Sequence, residues 1–257
     1  MDPLSGRNVE VFKEPRGVIR IIQFLFAILA FATTAGYSST LKFNYACKYN
    51  SNIKGSVSVQ IAYPFHMESQ SKVTPFCTDA LTTLAPSGDY YPYGSYSSSA
   101  QFYVFVGVMA FLYTIGITVL YVFFDNVYRD NDRVPQIDFI VTAVWSILWF
   151  IASIAWSVSV SFLKLETYSS RLFHQITACL PDYRGTAECN NIEEFAYTGL
   201  NISLICGYAN VFLWASSLWF LFKETSWFKS MHPEQAYGGD WYTGDNKNVV
   251  ETGAGIP

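Results

Sequence analysis

The sequence predicts an all-α integral membrane protein: a bundle of four transmembrane helices with two disulfide-closed luminal loops, the first carrying a strand-forming segment. Three observations predict it. Only 14% of the 257 residues are charged and 51% are hydrophobic, whereas soluble domains carry about 25% charged residues. The charges avoid four stretches, Ile21–Leu41, Ala100–Phe124, Phe139–Leu163 and Gly199–Phe222, of 21 to 25 residues each. Four of the five cysteines fall as one pair in each of two long connections. This distribution excludes a water-soluble globular enzyme, a nucleic-acid binder and a disordered chain. A net charge of −4 seeks no strongly anionic partner.

In chain order, residues 1–20 read as a cytosolic N-terminal segment, with a boundary at Pro15 and Gly17. Residues 21–222 form the membrane domain. About 20 helical residues cross a hydrocarbon core of about 30 Å, and in lipid each run must pair its own backbone groups, hence helices. Soluble helices average only about 12 residues. The first run is too long for the apolar region of a cleavable signal, which spans about 7–15 residues, so it is expected to act as its own insertion signal. In the first loop, 42–99, Ser56–Tyr63 largely alternates polar and apolar residues and predicts a strand over the bundle. The Ser87–Ser99 stretch reads as an irregular return to the membrane. Asp125–Asp138 is expected to be a short cytosolic turn, and the second loop, 164–198, to hold a short helix around Tyr168–Ile176. Residues 223–257 carry too few aliphatics to fold and read as a mobile cytosolic tail. Arg7, Lys13, Arg16 and Arg20 weight the terminal side as cytosolic.

Cysteine placement supports the same sidedness. Cys47 and Cys77 share the first loop and Cys179 and Cys189 the second, as expected where both loops face an oxidising compartment. Closing the first ring adds roughly 3–4 kcal/mol in the chain-entropy account. Free thiols are the competing reading; zinc is disfavoured because no C-x-x-C occurs and the loop histidines are only His66 and His174. Cys206, inside the fourth run, reads as a small apolar core residue.

Small residues recur every fourth position as Gly199, Ser203 and Gly207, and as Ser153, Ser157 and Ser161. In lipid such ridges mark close helix contacts, either within the bundle or toward another subunit. Trp145, Trp149 and Trp156 fall within about 40° of one another on a helix; they are candidate sterol contacts, with core packing as the alternative. Within the neutral runs the amides are Gln23, Gln101, Asn201 and Asn210, and no Asp, Glu, His, Lys or Arg occurs. That argues against a pump or ion-coupled transporter. No G-x-S-x-G, H-E-x-x-H, P-loop or dinucleotide fingerprint is present, so no catalytic, cofactor-binding or metal residues are assigned and the chain is read as not an enzyme.

Several strings then become informative together. Lys13-Glu-Pro-Arg-Gly17 runs into Phe26-Ala-Ile-Leu-Ala-Phe-Ala-Thr33; Tyr63-Pro-Phe65 lies in the first loop; Tyr96-Ser-Ser-Ser-Ala-Gln-Phe102 enters the second helix; Ile137-Asp-Phe-Ile-Val-Thr142 opens the third; Leu200-Asn-Ile-Ser203 and Trp219-Phe-Leu-Phe-Lys-Glu-Thr225 bound the fourth. Over Lys13 to Trp227 the chain closely resembles the synaptophysin family (synaptophysin, synaptoporin, pantophysin), with its tetraspan MARVEL-domain fold. The resemblance implies a structural protein of synaptic or small secretory vesicles with both termini cytosolic. It also implies homo-oligomers, cholesterol as an associated lipid, and a synaptobrevin-like vesicle SNARE as partner, whose sorting and exo-endocytosis it assists. The family's intraloop disulfides map onto Cys47–Cys77 and Cys179–Cys189. Of the family's repeated Tyr-Gly tail only Tyr237-Gly-Gly-Asp and Tyr242-Thr-Gly-Asp are similar.

Two other classes compete. An oligomeric membrane channel is the alternative, although no charged ring is visible to select ions. Junctional adhesion is disfavoured, since all seven tryptophans lie at or after Trp145 whereas claudin-like first loops carry them.

Overall fold

Most of each neutral run lies in a helix long and apolar enough to cross a membrane: Gly17–Ala35, Ser97–Phe123, Arg133–Thr167 and Thr198–Lys223. The computed structural model describes residues 15–48, 52–67, 77, 94–123, 133–176, 179–180, 187–225 and 230–231. Within them the order is α1 (Pro15–Ala35), β1 (Ser38–Cys47), β2 (Lys54–Ala62), α2 (Ser97–Phe123), α3 (Arg133–Thr167), α4 (Ser169–Gln175), β3 (Ala187–Glu193) and α5 (Thr198–Glu224). Residues 1–14, the Ser87–Ser99 stretch up to 93, positions 124–132 and the tail from 232 lie outside the described residues.

The helices α1, α2, α3 and α5 run alternately up and down, and each packs on two others in the cyclic order α1, α2, α3, α5. A closed square of this kind gives each helix one inward and one outward face. Inward side chains are wholly buried, among them Tyr103, Trp149, Trp156 and Trp214. Outward ones are large and apolar, such as Leu112, Phe150, Ile205 and Phe212, the last 71% exposed. Apolar residues directed outward along every helix are what a lipid solvent selects, since hydrocarbon exerts no drive to hide them.

Two spans differ most from the sequence reading. The first span does not run from Ile21 to Leu41: α1 begins at Pro15 and ends at Ala35, and Ser38–Leu41 already belong to β1. Arg20 therefore lies inside the helix. Likewise α3 opens at Arg133, so Asp138 is not the end of a turn but sits almost two turns into a helix. Cutting the spans at the nearest charge excluded two residues that the bundle contains.

The predicted strand is β2, and the predicted short helix is α4. Two further strands complete a sheet of order β2-β1-β3. β1 pairs antiparallel with β2 over Ser38–Ala46 and with β3 over Lys42–Cys47. Because β3 comes from the second loop, backbone hydrogen bonds join the two loops into one cap. Its inner face presents Leu41, Phe43, Val59 and Ile61, all buried, while Lys42, Asn44, Ser58 and Gln60 face outward. Phe43 meets Phe173 of α4 edge-on at 5.2 Å between ring centroids.

Phe65 plugs the cap onto the helices. Its backbone takes a positive φ of 66°, uncommon for a bulky residue. Its ring, fully buried, stacks on Tyr37 at 5.7 Å and meets Trp156 at a tilt of 50° and 5.2 Å. The Tyr37 hydroxyl donates to the Ala196 carbonyl at 3.1 Å, fastening the end of α1 to the segment before α5. Burial pushes that phenol up to about 12, so it stays a neutral donor at physiological pH.

Both disulfides are formed. Cys47 joins Cys77 with Cα atoms 5.6 Å apart, and Cys179 joins Cys189 at 5.4 Å; Cys206 is a buried free thiol. Non-reducing peptide mapping of protein purified from membranes is expected to recover these two linked pairs. Cys206 should react with a maleimide only after denaturation; crossed pairs would contradict the cap described, and labelling of Cys206 in the native state would contradict the packing of α5.

Candidate functional site

A buried ion pair organises the end of the bundle opposite the sheet. Arg20 of α1 and Asp138 of α3 are 2% and 1% exposed in their side chains, with Nη2 2.9 Å from Oδ1. Charges taken out of water must be neutralised and hydrogen-bonded, and here all four membrane helices contribute. The same Arg20 nitrogen donates to Thr142 Oγ1 at 2.9 Å, and Nη1 donates to Gln23 Oε1 at 3.0 Å. Asp138 accepts from the Tyr113 hydroxyl at 2.6 Å and from the Tyr121 hydroxyl of α2. Gln23 in turn donates to Ser217 Oγ at 3.2 Å and to the Leu213 carbonyl of α5 at 3.3 Å. The guanidinium lies over the rings of Tyr113 and Trp214 at 5.7 and 5.5 Å, so cation–π attraction serves its faces while hydrogen bonds serve its edge.

The small-residue ridge of α5 points inward. A Cβ on Gly199 would stand 3.2 Å from the Tyr37 ring, and one on Gly207 would be 2.6 Å from the Tyr103 hydroxyl and 3.0 Å from Ser153 Oγ. Tyr103 donates to the Ser203 carbonyl at 2.6 Å, and Trp156 Nε1 donates to Ser203 Oγ at 3.0 Å. Gly199, Ser203 and Gly207 thus sit where α1, α2 and α3 approach α5. The serine ridge of α3 drifts around its helix: Ser153 is buried, Ser157 half-buried and Ser161 exposed.

Of the three tryptophans considered for sterol, Trp149 and Trp156 are fully buried and meet Tyr103 at 5.8 and 6.0 Å. Their ring faces are spent on protein. Trp145 is half-buried, packed on Tyr113 and Trp214. At the ion-pair end Trp219 is 58% exposed with Lys223 Nζ 5.2 Å above its ring, an interfacial arrangement. At the sheet end Lys164 Nζ donates to Asn201 Oδ1 at 2.5 Å. No group of three or more His, Cys, Asp or Glu able to hold a metal occurs among the described residues. His66 lies 3.3 Å from Ser95 Oγ through Nδ1, and His232 is outside those residues.

Sequence reasoning missed Arg20 and Asp138 as members of a site. The signal available was their position: a basic and an acidic residue, each less than two turns inside a helix that the flanking Pro15 and Arg133 could have started earlier.

The apolar four-helix architecture, with its charges paired inside, agrees with comparison to known families: the MARVEL membrane-associating domain matches residues 11–220. This chain belongs to the MARVEL family. The match covers α1, α2, α3, the sheet and α5 as far as Phe220, so the ion-paired cluster and the cap are both parts of one MARVEL domain. The protein is accordingly a multi-pass, membrane-associating one.

Two outcomes test this geometry. Asp138→Ala strands the Arg20 charge and is expected to cost about 3–5 kcal/mol; adding Arg20→Leu should restore part of it, read as a double-mutant coupling in thermal unfolding of the purified protein. Gly207→Ala should cost about 1–3 kcal/mol by overpacking, with partial recovery when Tyr103→Phe removes the hydroxyl in its way.

Proposed function

We propose that this MARVEL protein is a non-enzymatic scaffold of small secretory or synaptic vesicle membranes, with both termini cytosolic and the disulfide-closed cap luminal. On this reading it assembles into homo-oligomers, associates with cholesterol and binds a synaptobrevin-like single-span SNARE, whose sorting through exo-endocytosis it assists. The observation that carries the reading is the division of polarity. Arg20, Asp138, Gln23 and Asn210 are buried inward, which leaves the outer faces to residues such as Leu112, Phe150, Ile205 and Phe212. A surface of that kind engages lipid tails and other membrane helices rather than soluble substrates. The vesicle setting and the SNARE rest on the resemblance to the synaptophysin family.

A pore along the axis of one bundle is opposed by its filling, since Tyr103, Trp149, Trp156 and Trp214 occupy the interior with no exposed surface. Crosslinking in native membranes is expected to yield homo-oligomers together with a single-span partner, and tags on either terminus should be unreachable from outside an unpermeabilised cell. Recovery of monomer alone, or an externally accessible tag, would overturn the proposal; a selective conductance from purified protein in planar bilayers would favour the channel instead.

A further inference from the structure

Among the described residues, four buried side-chain polar atoms have no hydrogen-bonding partner: Trp149 Nε1, Ser153 Oγ, Asn210 Oδ1 and Trp214 Nε1. Each belongs to a residue with no exposed surface. Together they occupy a single seam. Trp149 and Ser153 are one turn apart on α3, and Asn210 and Trp214 are one turn apart on α5. The antiparallel register of these helices is pinned above by Trp156 on Ser203, and below by Trp145 against Trp214 at 6.0 Å between rings. Between those pins Ser153 faces Gly207. The four residues therefore share one stretch of the seam, roughly 12 Å deep at 1.5 Å of rise per residue.

The neighbouring polar groups are satisfied. Below the layer Gln23 and Ser217 are bonded, and above it Tyr103, Trp156 and Ser203 are bonded. The deficit is thus local, and in hydrocarbon a polar group left unpaired is strongly disfavoured. Its chemistry selects the ligand. Two indole N–H groups can only donate, the Asn210 oxygen can only accept, and the Ser153 hydroxyl does either. The amide orientation is set by Asn210 Nδ2, which donates to the Cys206 carbonyl at 2.9 Å; the opposite orientation would set two oxygens face to face. An anion would confront the Asn210 oxygen, and a cation would confront both indole N–H groups. Water, which both accepts and donates, matches the set, and the depth of the layer calls for more than one molecule.

We propose that α3 and α5 hold internal water at mid-membrane, bridging Trp149 and Trp214 as donors to Asn210 and Ser153 as acceptors. The Arg20 guanidinium already lies over the Trp214 ring, so this hydrated layer continues the ion-paired cluster upward into a single polar column. Buried waters with two to four such partners are structural elements in their own right.

The test uses the full chain in lipid bilayers with ¹⁵N-labelled tryptophan, each indole assigned by a single Trp→Phe variant. Water-edited solid-state NMR is expected to show early transfer from water to the Trp149 and Trp214 indole N–H groups. Trp156, bonded to Ser203, serves as the internal reference and should lag. Asn210→Leu is expected to abolish the early transfer at both indoles and leave Trp156 unchanged; Ser153→Ala provides the same reading should Asn210→Leu fail to fold. Build-up at Trp149 and Trp214 no faster than at Trp156 would overturn the proposal, as would early transfer that persists in both variants.

Discussion

A single guanidinium sets the terms for the lower half of this bundle. Arg20 cannot discharge at any accessible pH, and its place inside α1 leaves it three ways to be tolerated: reach for the headgroups, find a counter-charge, or stay out of the membrane. The structure takes the second. Once Asp138 is its partner, the remaining lone pairs and protons of both groups call for Tyr113, Tyr121, Thr142 and Gln23. Through Gln23 the requirement passes to α5. A buried ion pair adds little net stability over a packed apolar pair, but it penalises alternatives. Rotating or sliding any one helix would break a bond that lipid cannot replace, so the pair serves to specify register among helices whose apolar faces alone are interchangeable.

At the other end, register is set by different means. Phe65, Tyr37 and Trp156 form an aromatic cluster between cap and helices, and Gly199 and Gly207 let α5 approach closely. The bundle is thereby held by charge at one end and by shape at the other. The layer of Trp149, Ser153, Asn210 and Trp214 lies between and touches both, with Trp214 under the Arg20 guanidinium and Ser153 against Gly207.

The sequence carried the architecture in its largest features. Four neutral runs mark four helices because lipid imposes length and apolarity on each segment separately, and that constraint is local. Cys47 with Cys77, and Cys179 with Cys189, were legible for a similar reason: each pair closes within its own loop. β2 showed itself through its alternation, and α4 through its position. What stayed hidden was non-local. β1 reads as the end of an apolar run, since Gly36 through Leu41 contains no charge, and only pairing with β2 and β3 makes it a strand. β3, with Cys189, Asn190 and Asn191 at its centre, has almost no strand character by composition and is extended because β1 offers it an edge. Arg20 and Asp138 escaped because charge was used to end a helix, a rule that fails when two charges cancel across 118 positions of sequence.

The cap has an implication for how the chain is made. β1 is the central strand, and its second edge is covered by residues synthesised about 140 positions later. At about 5–20 residues per second, that edge waits roughly 7–28 s while α2 and α3 are inserted. An uncovered edge is a template for pairing with another chain, so biogenesis passes through an interval in which two nascent copies are able to join strand to strand before either has closed on itself.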